Sequence, residues 1–205
     1  TIFNRFCWTI FVASEKRLNR KIQVKMAQEI EIMKAQGKQL AFIVIGLGIL
    51  MFLLSYLGDP TLLFKYWWLG ILYQWILPIG LAIYAVAKAK QSLNGFISFK
   101  GALGTSAIGL ILGTAVVVLF NALMYNVVDL EFKAMMEEQT IEFTVQFMER
   151  MGADKAQISE GVAQIKERDQ FGFKAQIMGL TFISIYYLVI SLVVAAAMKK
   201  DEPVV

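Results

Sequence analysis

Residues 39–58 read QLAFIVIGLGILMFLLSYLG, twenty residues between Lys38 and Asp59 without one charged side chain. A helix needs about 20 mainly apolar residues to cross the hydrocarbon core of a bilayer. The same measure, the gap between consecutive charges, finds three more such runs. They hold 22 residues between Lys65 and Lys88, 28 between Lys100 and Asp129, and 24 between Lys174 and Lys199. An ionised group at the bilayer centre costs about 2.5–3.5 kcal/mol even on mild insertion scales, so a spanning helix excludes charge. A buried core helix could explain one such run but not four in succession. The expected fold class is all-α: a polytopic membrane protein with four transmembrane helices. Composition agrees, with 58% hydrophobic and 18% charged residues among 205 and a mean hydropathy of +0.59. Soluble domains sit at about 45–50% apolar and about 25% charged.

Much chemistry is excluded by absence. The chain has no His and one Cys, Cys7. Ser-His and Cys-His nucleophiles, His-ligated metals and an intrachain disulfide are therefore ruled out. Catalytic, cofactor-binding and metal-ligating residues are expected to be none.

Aromatic residues sit where amphipathic rings prefer the headgroup level: Tyr56 closes the first run, and Tyr66, Trp67 and Trp68 open the second. Gly58-Asp59-Pro60 between them is turn chemistry. Pro78 lies inside the second run, where a missing N–H predicts a bend. Four spans put both termini on one side, with thirteen Lys and Arg there against seven opposite. The positive-inside rule then expects cytoplasmic termini. The chain divides into a basic segment 1–38, spans one to three over 39–125, an extramembrane insert 126–174, and span four with its tail over 175–205. The first Met is Met26. Residues 1–25 read either as sequence upstream of a start at Met26, or as a basic helix attracted to anionic lipid.

The insert carries ten acids and six bases, with no Pro. Phe132, Met136, Phe143, Phe147 and Met151 recur at helical spacing, and Met151-Gly152-Ala153-Asp154 reads as a helix stop followed by an N-cap. Ile158, Val162 and Ile165 mark a second helix. The expectation is an extracytoplasmic amphipathic hairpin with Phe132, Met136, Phe143, Phe147, Ile158, Val162 and Ile165 facing inward. Its net charge of −4 disfavours lying on anionic lipid, because interfacial helices use Lys and Arg. Glu137, Glu138, Glu142 and Glu149 form its candidate partner face.

Inside the spans the polar residues are Ser55, Gln74, Thr105, Ser106, Thr114, Asn121, Thr181, Ser184 and Ser191. None is ionisable, which disfavours proton relays and ion-coupled carriers. Gln74 and Asn121 read as interhelical hydrogen-bond glue. Gly101, Thr105, Gly109 and Gly113 fall four apart and make a candidate helix-packing face. Its expected partner within the chain is span one, through Gly46 and Gly48, or span four; homodimerisation is the alternative.

Gly95-Phe96-Ile97-Ser98-Phe99-Lys100-Gly101-Ala102 before span three, Tyr125-Asn126-Val127-Val128-Asp129 after it, the helical insert and the Lys-Lys tail together resemble the domain of unknown function 4199 family. The resemblance runs from about Lys38 to Lys200. It implies an integral membrane protein of bacterial type, chiefly of Bacteroidota, in the inner (plasma) membrane, and implies no activity. The family pattern commonly continues from that Asp into Pro, where this chain has Leu130. The residues thus lead to a non-enzymatic protein with a structural or partner-binding role; a small passive channel or transporter is the alternative. Expected partners are the lipid bilayer and a second copy or another membrane protein, without nucleic acid.

Overall fold

The computed structural model describes residues 2–200, with side chains from Glu15 onward apart from Leu18, Asn19, Lys21 and Leu63. Thr1 and the tail 201–205 of the fourth segment lie outside the described residues. The elements are helices α1 (Ile2–Leu53), α2 (Leu62–Lys65), α3 (Trp67–Ile71), α4 (Leu77–Ser92), α5 (Phe99–Leu123), α6 (Leu130–Arg150), α7 (Lys155–Glu167) and α8 (Phe173–Met198). Among the described residues, four helical segments are long and apolar enough to cross a membrane: Glu15–Gly58, Trp67–Ser92, Phe99–Val128 and Phe173–Met198. Helices suit these residues because in lipid each backbone polar group must find its partner inside its own segment.

The basic segment and span one form one helix of 52 residues, about 78 Å long at 1.5 Å per residue. No break falls at Lys38, because no Pro interrupts the run and Gly37 is seated against Ile108 of α5. Span three is central: α5 packs along α1 and also meets α4 and α8.

Three short π-helical turns interrupt the spans: Leu54–Gly58, Leu72–Ile76 and Met124–Val128. The second lies where Pro78 predicts a disturbance of span two. The chain widens into a π turn directly before α4, which then begins with Pro78 in its first turn. Pro lacks the N–H that the preceding turn would use, and its ring displaces the carbonyl four residues back. Tyr186 of α8 donates a hydrogen bond to Trp75 O at 2.9 Å, tying this turn to span four.

Two zones of close packing divide the bundle. Toward the end carrying the 93–98 loop, Ala82, Ala85, Val86, Ala89, Ala102, Val194 and Ala195 are buried together. Small side chains let the backbones of α4, α5 and α8 approach closely there. At the opposite end Phe52, Tyr125, Phe132 and Met136 form a second buried cluster, joining α1 and α5 to the start of α6.

The two motifs flanking span three are structural clips. Asn94 (φ 56) and Gly95 (φ 87) turn the chain in the left-handed region. Ile97 then exchanges two 3.0 Å backbone hydrogen bonds with Lys200. Ser98 caps α5 by accepting from Gly101 N at 3.0 Å, while its own N–H donates to Glu29 of α1 at 2.8 Å. Lys90 Nζ donates to Met198 O at 2.9 Å, placing a cation on the negative end of α8. After span three, Asn126 Nδ2 donates to Ala122 O and Phe171 O, both at 2.9 Å. Asp129 caps α6 through Phe132 N at 2.8 Å.

The insert forms α6 and α7, with a turn at Gly152 (φ 80) and a capping box between Asp154 and Gln157 at the start of α7. Its apolar stripe divides in a way the sequence reading did not anticipate. Phe132 and Met136 dock on the spans, not on α7. Phe143 meets Phe64 of α2 at 5.6 Å, and Phe147 is 54% exposed. Ile158, Val162 and Ile165 are half-buried. Length decides this outcome: α7 has 13 residues against 21 in α6, too few to cover the whole stripe.

Candidate functional site

Between the two packed zones lies a cavity of about 470 Å³, lined by all four spans. Span one contributes Leu47, Met51 and Ser55; span two contributes Tyr73, Gln74 and Pro78. Span three contributes Thr114, Val118 and Asn121, and span four Gln176, Ile183 and Tyr187. Met136 and Gln170 of the insert reach its upper wall. Among the described residues no charged side chain lines it, so its polarity comes from hydroxyl, amide and phenol groups.

Two of those groups are unsatisfied. Ser55 Oγ and Asn121 Oδ1 are buried without a hydrogen-bond partner. Helical Ser and Thr ordinarily bond back to a carbonyl one turn earlier, as Thr105, Ser106, Thr181 and Ser184 do here. Ser55 sits in a π turn and does not. A buried polar atom left unpaired costs about 1–3 kcal/mol, and native structures contain few. The third orphan, Ser191 Oγ, is fully buried among the small residues of the closed zone and does not face the cavity. The sequence reading gave Asn121 a partner on another helix; the structure leaves its carboxamide oxygen without one.

The roof of the cavity is aromatic and tied down. Tyr125 and Phe132 stack at 5.8 Å, and Phe52 meets both edge-on. Tyr56 donates its hydroxyl to Asp129 Oδ2 at 2.9 Å. The Phe132 N–H and the Tyr56 hydroxyl together hold the Asp129 carboxyl below the usual carboxylate range. Lys133 pairs with Asp169 at 2.7 Å, bridging α6 to the strand of chain that leads into span four. Across the first loop, Thr61 holds the Asp59 carboxyl low in the same way, through its hydroxyl and its N–H.

The small-residue face meets α1. A Cβ built on Gly109 would stand 2.5 Å from Leu40, and one on Gly113 would stand 2.7 Å from Val44 and 2.9 Å from Ala41 O. Gly101 is closed by Glu29, and Thr105 is fully buried. Of the two glycines read as span one's contribution, Gly48 does meet span three, against Val117 one turn beyond Gly113, whereas Gly46 has nothing within 4 Å. Glycine on one helix accepts branched side chains on the other, which fills the groove better than a second glycine.

Of the four candidate partner-face acids, Glu138, Glu142 and Glu149 are exposed. Glu137 is drawn back toward Lys133, 3.9 Å away, and Gln146 donates to Glu142 at 3.2 Å. The signal that pointed to the cavity was present in the sequence as uncharged polar residues inside spans. What could not be read there was which of them lack partners.

A family model described as protein of unknown function (DUF4199) matches residues 39–200. That range takes in all four charge-free runs, both clips and the insert. No curated protein and no solved structure matches the chain.

Proposed function

The chain belongs to this family of unknown function, and from that premise we propose a non-enzymatic protein of the bacterial inner membrane. In this reading both termini are cytoplasmic, and the spans hold α6 and α7 on the extracytoplasmic side as a rigid docking module for a protein partner, a second copy included. The observation that carries it is the anchoring of α6. Tyr56 to Asp129 and Lys133 to Asp169 tie its cap and first turn to the ends of spans one and four, and Asn126 to Phe171 O joins the end of span three to the start of span four beneath it. A tethered flap would not need such ties; a module that must present one face does. With Phe132 and Met136 turned into the bundle, Glu138, Glu142 and Glu149 are left outward. The thirteen-to-seven Lys and Arg asymmetry supports the orientation.

The packing argues against the passive channel. A channel needs a continuous path, whereas Ala82, Ala85, Val86, Ala102 and Ala195 pack into a buried cluster and none of them lines the cavity. A photo-crosslinking amino acid at Glu142 or Glu149 in native membranes should yield a discrete protein adduct. The same probe at lipid-facing Phe182, 68% exposed, should not. Equal adducts at all three positions, or none at the acidic face, would refute the docking role. Ion flux through proteoliposomes above background would instead establish the channel.

A further inference from the structure

We propose that the cavity between the four spans is a binding site for an uncharged, hydroxyl-bearing lipid taken from the bilayer. Three observations converge on that chemistry. First, the cavity's 470 Å³ falls within the range of about 300–1,000 Å³ typical of small-molecule sites. It holds a headgroup and the first part of a chain, leaving the remaining chain in lipid.

Second, the two unpaired polar atoms in its wall define what the headgroup must offer. Asn121 Oδ1 is an acceptor, so it requires a donor from the ligand. The hydroxyl of Ser55, a residue only 7% exposed, can donate to a ligand oxygen or accept from a ligand hydroxyl. A ligand hydroxyl supplies the donor that Asn121 needs, and the same group or a neighbouring ester oxygen offers what Ser55 needs. A ligand with acceptors alone leaves Asn121 unpaired. A charged headgroup finds no counter-charge anywhere in the lining, and an unpaired ion in such a site is strongly disfavoured.

Third, the wall is loosest where a lipid would enter. The Trp67–Ile76 half of span two approaches the other spans less closely than α4 does, and it contains the π turn before Pro78. π turns of this kind recur at functional sites. On the bundle axis the aromatic roof and the alanine-rich zone close both ends, so access is lateral, from the membrane.

Neutral glycerides and isoprenoid alcohols share this chemistry, and the test separates them. The full chain, purified in detergent, is titrated with dioleoylglycerol, farnesol, methyl oleate and oleate while its thermal unfolding is followed. At least one hydroxyl-bearing probe should raise Tm saturably by several degrees; methyl oleate and oleate should not. A response to dioleoylglycerol alone identifies the glyceride, and a response to farnesol alone the isoprenoid. Ser55→Ala and Asn121→Leu should each raise the ligand-free Tm, since an orphan polar atom is removed, and abolish the response. Ser191→Ala removes an orphan outside the cavity and should respond as wild type does. Native mass spectrometry should show the active probe bound one-to-one to wild type, a readout that needs no variant to fold. The proposal is overturned if no hydroxyl-bearing probe shifts wild type, if the charged or acceptor-only probes shift it equally, or if the response survives in both cavity variants.

Discussion

Replacing Gly113 with Ala adds one methyl group where the structure leaves no room. The new Cβ would stand 2.9 Å from the carbonyl oxygen of Ala41 and 2.7 Å from Cβ of Val44. Neither atom is the free end of a flexible side chain, so relief requires α1 to move off α5 along their longest contact. Overpacking of this kind costs about 1–3 kcal/mol. Ala recovers up to about 1 kcal/mol of helix propensity over Gly, which leaves a net loss of about 0–2 kcal/mol. Gly46→Ala is the matched control: it lies on α1 with nothing within 4 Å, so propensity alone acts and stability holds or rises. The two variants should therefore separate by about 2 kcal/mol in SDS-induced unfolding from mixed micelles, followed by far-UV circular dichroism. Equal unfolding midpoints and slopes for the two would show that α1 does not occupy this face, and the packing argument would fall.

Three further outcomes follow from the tie points. Asp129 is held below the usual carboxylate range by Phe132 N–H and Tyr56, so its contribution is present above the unfolded pKa of about 3.9 and is lost as pH falls through the lower folded value. Acid titration should loosen wild type below about pH 4, whereas Asp129→Asn should be weaker at neutral pH and lose less on acidification; identical acid limbs would refute the role. Lys133→Asp should destabilise the α6 anchor by no more than about 1 kcal/mol, because Asp169 is half-exposed and such pairs are screened. Combining it with Asp169→Lys should restore part of the loss in a double-mutant cycle. Glu29→Ala removes the acceptor for Ser98 N and should cost about 1–2 kcal/mol, read as increased hydrogen exchange across residues 95–101.

The spans were legible in the sequence because the bilayer imposes a one-dimensional rule: charge is excluded over about 20 residues. The 39–58 and 175–198 runs satisfy it without any knowledge of packing. Local chemistry was equally readable. Asp154 caps α7 with Gln157 three residues on, the reciprocal pattern that a capping box requires. Contacts between distant residues were not readable. Nothing in the spacing of Gly109 and Gly113 says that Leu40 and Val44 fill the groove while Gly46 faces open space. Asn121 illustrates the same limit: a polar residue in a span suggests a partner, and only the three-dimensional arrangement shows its oxygen left unpaired in the cavity that Ser55 also lines. Likewise, the periodicity of α6 showed an apolar face but not that its first turns belong to the bundle roof.

Placement of the α6–α7 module outside the cell is the claim on which the docking role depends, and cysteine accessibility measures it directly. With Cys7→Ser removing the native thiol, Ala163→Cys on exposed α7 and Ser92→Cys on the exposed end of α4 report the two ends of the bundle. A membrane-impermeant maleimide added to intact cells should label position 163 and leave position 92 unlabelled until the cells are lysed. Labelling at 92 with protection at 163 would invert the topology and contradict an extracytoplasmic docking face.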